Sequence, residues 1–226
     1  MTTSALPAAA LEANAAPTRS LAGEMPMMTR RSRLLLALAA LLLLVSFVAP
    51  LWRIALKAPQ YPEGLAMYIW SDRITGSLRS INGLNHYIGM KQIHPEAIPE
   101  LRLMPIVVAG LAALGFATAA WGRRVGLLLW TGLFAAAAAV GLADFWTWGY
   151  DYGHNLDPTA AIKVPGLSYQ PPLLGSKQLL NFQASSWPAV AGWILIGALV
   201  LAVGLTLAEW RRARPGGRVR RSPARP

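Results

Sequence analysis

The sequence predicts an all-α membrane protein with four transmembrane helices and a small extracytoplasmic cap of mixed structure. Three observations carry that prediction. The 226-residue chain is 54% hydrophobic and only 14% charged, against about 25% charged in ordinary soluble domains. Four apolar runs approach the roughly 20 residues that a helix needs to cross a bilayer. Arginines crowd the ends of those runs, and two long polar segments separate them.

Taken in order, residues 1–29 are rich in Ala, Pro and Thr without apolar periodicity, so a disordered cytoplasmic N-terminus is expected. Met25, Met27 and Met28 belong to that linker rather than to a Cu(I)-binding run. The membrane domain is expected over 30–210. Its first apolar run covers about 34–51, behind Arg30, Arg31 and Arg33. No small-x-small cleavage site follows it, so an uncleaved anchor is expected rather than a leader peptide. The second run covers about 103–121 and the third about 125–146, with only Arg123 and Arg124 in the turn between them. The fourth covers about 187–207. Trp52, Trp121, Trp146, Trp148, Trp187 and Trp210 mark the ends of the runs, as interfacial aromatics do. Residues 211–226 form a basic tail suited to anionic headgroups.

Charge sets the orientation. The N-terminal segment, the Arg123–Arg124 turn and the tail hold thirteen of the 21 Lys/Arg and three of the ten acids. Basic residues dense beside span ends stay on the cytoplasmic side. Both termini of a multi-pass protein are therefore expected on the cytoplasmic side of its membrane. Two segments then face outward, 53–102 and 147–186. In the first, 65–70 with 78–81 is expected to form a hairpin around Thr75–Gly76. Asn82 is expected to cap a short helix running to about Gln92.

The candidate chemistry sits in these two segments. All three histidines lie there: His86, His94 and His154. On a helix, His86, Met90 and His94 would share one face at steps of four residues. Imidazole with thioether suits copper better than magnesium or calcium. His154 lies between Asp151 and Asp157, and Asp144 ends the third run; these carboxylates would orient the imidazoles. The chain has no cysteine, which removes disulfides, thiolate nucleophiles, iron–sulfur clusters and c-type haem. It has no phosphate-binding glycine loop and no nucleophile elbow. No histidine lies inside a run, as ligation of b-type haem would require. The basic excess is a topology signal rather than a nucleic-acid footprint.

The strings APQYPEGLAMYIW, INGLNHYIGM, WGYDYGHNLDPTAAI and YQPPLLGSKQLLNF resemble a family of small bacterial membrane proteins. The family is associated with the gene clusters that mature the copper enzyme nitrous oxide reductase. The resemblance covers about residues 45–190. It implies copper handling by an accessory protein on the outer face of the inner membrane, with His86, Met90 and His154 inside the matching strings and His94 just outside them. The expected function is thus a non-enzymatic copper-handling accessory protein with lipid and a periplasmic or membrane protein as partners. The alternative is a non-catalytic scaffold or assembly subunit that binds a protein through its cap. A third reading, a quinol-linked enzyme subunit, would need a redox centre that the sequence does not display.

Overall fold

The structure, a computed structural model, describes residues 27–162, 166, 168–179 and 181–213. The remainder of the expected N-terminal segment and of the basic tail lies outside the described residues. Thr29 starts the first helix, α1 (Arg30–Leu43), by accepting the Ser32 backbone N–H on its hydroxyl at 3.2 Å. This N-cap satisfies a donor that the first turn would otherwise leave free. A 3₁₀ turn, Leu44–Phe47, follows, and the Ser46 hydroxyl donates back to the Leu43 carbonyl at 2.8 Å. Pro50 stops any further helix, and a strand begins at Trp52. The first apolar run therefore yields a helix of only 14 residues, shorter than the span expected over 34–51.

Three later helices are long and apolar enough to cross a membrane, and they make this a membrane-type chain: α3 (Glu100–Trp121), α4 (Arg124–His154) and α5 (Val190–Ala213). The first expected span, over about 34–51, has no helix of that length among the described residues. Helix α2 (Leu78–Ile88) is short. Gly122, at φ +74°, makes the tight turn between α3 and α4. Its left-handed backbone is one that a side chain disfavours. Arg33 of α1 closes this end by donating to the carbonyls of Ala119 and Ala120, each at 2.8 Å.

Helix α1 is short but central. Leu36, Ala39, Ala40 and Leu43 are each at most 1% exposed, packed with Leu111, Ala112, Ala198 and Ala202. Small residues at these crossings allow close approach, as in membrane helix pairs. A Cβ at Gly115 would lie 2.6 Å from the Ala40 Cβ. Trp130 fills the neighbouring space and donates its indole N–H to the Leu111 carbonyl at 2.8 Å. The outward faces carry Ile106, Leu129, Val140 and Val200, all exposed. Water would disfavour such a surface, whereas lipid would not.

At the Arg123–Arg124 end, the Glu209 carboxylate is 2% exposed and joins three helices. It accepts from the Ser32 hydroxyl at 2.6 Å, Arg124 Nε at 2.9 Å, Arg212 Nη1 at 3.0 Å and the Thr29 backbone N–H at 3.3 Å.

The opposite end is not all-α. Strands β1 (Trp52–Ala58), β2 (Tyr61–Ile69), β3 (Ile74–Gly76), β4 (Gly175–Leu179) and β5 (Phe182–Pro188) form one antiparallel sheet in the order β3-β2-β1-β5-β4. The fold is thus a helical bundle plus a five-stranded sheet, which corrects the all-α prediction. The expected hairpin is displaced. β2 pairs with β3, Met67 opposite Gly76, and 78–81 opens α2 instead. Strand β1 lies between the two segments that the sequence separates, with Ala55 opposite Ala66 on one side and Ser185 on the other.

Helix α4 has 31 residues, so it is about 46 Å long at 1.5 Å per residue. A hydrocarbon core of about 30 Å accommodates roughly 20 of them. The last turns, expected to be loop from 147 onward, remain helical to His154. Phe145, Trp148 and Tyr152 pack there against Ile54, Leu65, Met67, Ile81 and Ile93. This second core lies between the sheet, α2 and the end of α4.

Candidate functional site

The end of α2 decides the geometry of the expected metal ligands. Gly89 takes φ +78° and terminates the helix. A Cβ there would meet the Asp157 carbonyl and the Ala160 methyl, each at 2.9 Å. The chain of 155–162 lies against this turn. Asp157 N–H donates to the Gly89 carbonyl at 2.7 Å, and Ile162 N–H to the Tyr87 carbonyl at 2.9 Å. Lys91 adds an ion pair to Asp151 at 2.6 Å. The two polar segments therefore meet, through backbone and an ion pair rather than through the histidines.

The helix expected through Gln92 ends at Ile88, so the stripe of His86, Met90 and His94 does not form. His86 is exposed on α2. Met90 is half-buried and faces an apolar cavity. His94 is exposed beside the short 3₁₀ turn Pro95–Ala97, its Nδ1 3.4 Å from Glu96 Oε1. Asn82 is not an N-cap. It sits inside α2 and clamps Ile93, accepting its N–H at 2.8 Å and donating to its carbonyl at 3.0 Å.

His154 closes α4. Its ring stacks on Tyr150 at 3.9 Å between centroids, and its Nδ1 lies 3.0 Å from the Tyr150 carbonyl. An Nδ1–H donated there leaves the Nε2 lone pair directed outward, the arrangement of many metal-ligating imidazoles. The carboxylates are engaged elsewhere. Asp151 bonds Lys91 and the Asn155 amide. Asp157 accepts from the Thr159 N–H at 2.7 Å and its hydroxyl at 2.6 Å. Asp144 is exposed ten residues before His154, about 15 Å along the helix. Among the described residues no three His, Asp or Glu side chains converge into a metal-holding group.

A feature outside the expected site lies between the sheet, α2 and α4. It is a cavity of about 70 Å³ with an almost wholly apolar lining. Ile54, Met67, Ile88 and Phe182 wall it, with Trp148 and Tyr152 stacked at 4.1 Å on the α4 side. Among the lining residues, Asn85, Tyr152 and Tyr169 carry polar side-chain groups. The Asn85 amide donates to the Lys91 carbonyl at 3.2 Å. The Tyr169 hydroxyl is buried without a hydrogen-bond partner among the described residues, on a side chain 3% exposed. A smaller hollow of about 20 Å³ shares Ile54, Trp148, Gly149 and Pro171 and leads along α4 to Phe145 and Trp146. The sequence signal for this face was the spacing of Trp148 and Tyr152 at i and i+4 with Gly149 between them. It is invisible while 147–186 is taken as loop.

No family model, curated protein or solved structure matches the chain.

Proposed function

We propose that this protein is a multi-pass accessory protein of a bacterial inner membrane that handles copper at the periplasmic face. The copper is cargo for a copper enzyme under assembly, such as nitrous oxide reductase, and the chain itself catalyses no reaction. In this reading both termini are cytoplasmic and the sheet domain is the outward cap. Helix α1 with its 3₁₀ turn acts as a fourth span. At about 1.5 and 2.0 Å per residue the two pieces reach roughly 29 Å.

The observation that carries the reading is the placement of the imidazoles. His86 and His154 are exposed on α2 and α4, and Lys91, three residues past the end of α2, pairs with Asp151 of α4 at 2.6 Å. His154 already has its Nδ1 occupied by the Tyr150 carbonyl. Few, exposed ligands suit a site that must release its ion, whereas a structural site encloses the metal with four. The resemblance of the strings around these residues to the nitrous oxide reductase maturation family supports the same reading.

The test is copper stoichiometry on detergent-purified protein, with Cu(I) competition, beside the double variant His86→Ala/His154→Ala. About one copper per chain, lost in the variant, is expected. Well-folded protein without copper overturns the reading. A specific observation would then favour the alternative, a scaffold that docks a protein through its cap. Trp146, Tyr150 and His154 form an exposed stacked ladder on α4, at 5.5 and 3.9 Å. Exposed aromatic anchors of this kind dominate many protein interfaces.

A further inference from the structure

We propose that the arginine end of the helix bundle holds an anionic phospholipid, its phosphate beside Arg30, Arg31 and Arg211 and its acyl chains along the outer faces of α1 and α5. This end lies opposite the histidines, and the proposal does not depend on the copper reading. The fold brings three basic segments together there. The Met28 N–H donates to the Gly122 carbonyl at 2.7 Å. Arg212 donates to the Thr29 hydroxyl at 3.3 Å, and Arg124 donates to Glu209 at 2.9 Å. The start of α1, the turn between α3 and α4 and the end of α5 thus carry seven arginines around the single carboxylate of Glu209, among the described residues.

Four of these arginines are engaged within the protein. Arg33 donates to the carbonyls of Ala119 and Ala120, Arg124 and Arg212 pair with Glu209, and Arg123 lies over the Trp121 ring at 5.1 Å. Arg30, Arg31 and Arg211 are exposed, and their side chains have no ion pair or hydrogen bond among the described residues. Arg30 and Arg31 follow Thr29, and Arg211 precedes the Arg212 that touches it. Membrane orientation asks only for cations on this side. It does not ask that unpaired guanidiniums be gathered beside one another. Guanidinium groups hold phosphate through paired N–H donors, and basic pockets between membrane helices take lipid headgroups.

A second observation makes the ligand a lipid rather than free phosphate. On α1, Leu34 and Leu38 follow Arg30 at steps of four residues and are 64% and 44% exposed. On α5, Leu207 and Val203 precede Arg211 at the same step and are 46% and 40% exposed. Residues four apart share a helix face. Unpaired arginines therefore head an exposed apolar stripe on each of two helices that pack side by side. A molecule with a phosphate at one end and two hydrocarbon chains matches that arrangement.

The experiment titrates the full chain in mild detergent with phosphatidylglycerol, phosphatidylcholine or inorganic phosphate and reads the bound species by native mass spectrometry. Phosphatidylcholine has the same phosphate and chains but no net charge. Phosphatidylglycerol should bind about tenfold or more tightly than phosphatidylcholine, at roughly fivefold for each cation it engages. Arg30→Gln/Arg31→Gln/Arg211→Gln should weaken that binding by more than about tenfold on the same scale. None of the three side chains touches Glu209, so thermal stability should be kept. If it is not, Arg30→Gln and Arg211→Gln alone should each weaken binding by about two- to fivefold. Arg53→Gln/Lys57→Gln/Arg79→Gln removes the same charge from exposed positions at the sheet end and should leave binding unchanged. Equal losses in the two triple variants would mean diffuse charge attraction and overturn the proposal. Equal retention of the two lipids would mean that the chains alone bind, and inorganic phosphate bound as tightly as phosphatidylglycerol would make this a phosphate site; either result overturns it too.

Discussion

Glu209 offers the most demanding test of how the helices are held. Replacing it with alanine removes the acceptor for Ser32, Thr29, Arg124 and Arg212 at once. Removing one member of a buried pair typically costs about 3–5 kcal/mol. That range needs discounting, because the Arg124 side chain is 21% exposed and that of Arg212 is 53% exposed. Exposed pairs contribute under about 1 kcal/mol. Ser32 keeps a second contact, 2.9 Å to the Thr29 hydroxyl. A loss of about 3 kcal/mol remains. For a chain of this size, that lowers the midpoint of thermal unfolding by about 6–12 °C. The assay is tryptophan fluorescence during heating in detergent at one fixed scan rate, since such unfolding is often irreversible. Arg124→Gln and the double variant complete a cycle, and a coupling of about 1–3 kcal/mol between neighbours is expected. A drop below about 2 °C in Glu209→Ala would refute the claim that this carboxylate holds α1, α4 and α5 together.

Other perturbations follow from the same geometry. Gly89→Ala forces a left-handed backbone on a residue with a Cβ, at about 1–2 kcal/mol, and presses it against Asp157 and Ala160. Hydrogen exchange at the Asp157 and Ile162 amides should speed up, and unchanged exchange would show that the 155–162 segment is not held by this turn. Lys91→Ala breaks an ion pair whose side chains are 50% and 40% exposed, so stability should fall by less than about 1 kcal/mol; a larger loss in thermal unfolding would show that the pair is more than a surface contact. Trp130→Phe deletes the bond to the Leu111 carbonyl and should cost about 1 kcal/mol, with a midpoint about 2–4 °C lower.

The long helices were legible because their cause is local. Runs without charge, ended by Arg123–Arg124 and Arg211–Arg212, need only lipid to become helical spans. The first run misled because hydropathy does not register a stop. Ser46 turns back on the Leu43 carbonyl, and Pro50 cannot continue a helix, so the eight residues 44–51, expected to be helical, become turn and strand approach. Helix α4 misled in the other direction. Its last turns are aromatic and glycine-containing, weak in propensity, and they stay helical because Trp148 and Tyr152 pack on the sheet. The metal stripe failed at a single residue. Gly89 was visible as a weak point in a helix, but its left-handed turn is required by Asp157, 68 positions later, whose N–H its carbonyl receives.

The sheet shows how topology can be read once the helices are known. Strand β1 leaves the α1 end after Leu51, and β5 enters α5 at Pro188 and Ala189 with no linker of its own. Helices α1 and α5 pack side by side, one leading toward the sheet and the other away from it. The strands joined to them must therefore emerge adjacent and antiparallel. The junction fixes their register: Ala189 N–H donates to the Leu51 carbonyl at 2.9 Å, and Ala191 N–H to the Pro50 carbonyl at 3.0 Å. Trp52 then pairs with Pro188 and Ile54 with Ser186. A slip of one residue would turn Ile54 and Ala184 away from the core. Pro188 fits because it lies at the end of its strand, where a missing N–H costs little. The β1–β5 pairing, distant in sequence, is thus imposed by the helix pair beneath it. It also makes the floor of the cavity, through Ile54 and Ala184. The pocket is a product of the bundle's geometry, and residues facing one another across it had no local signature to announce them.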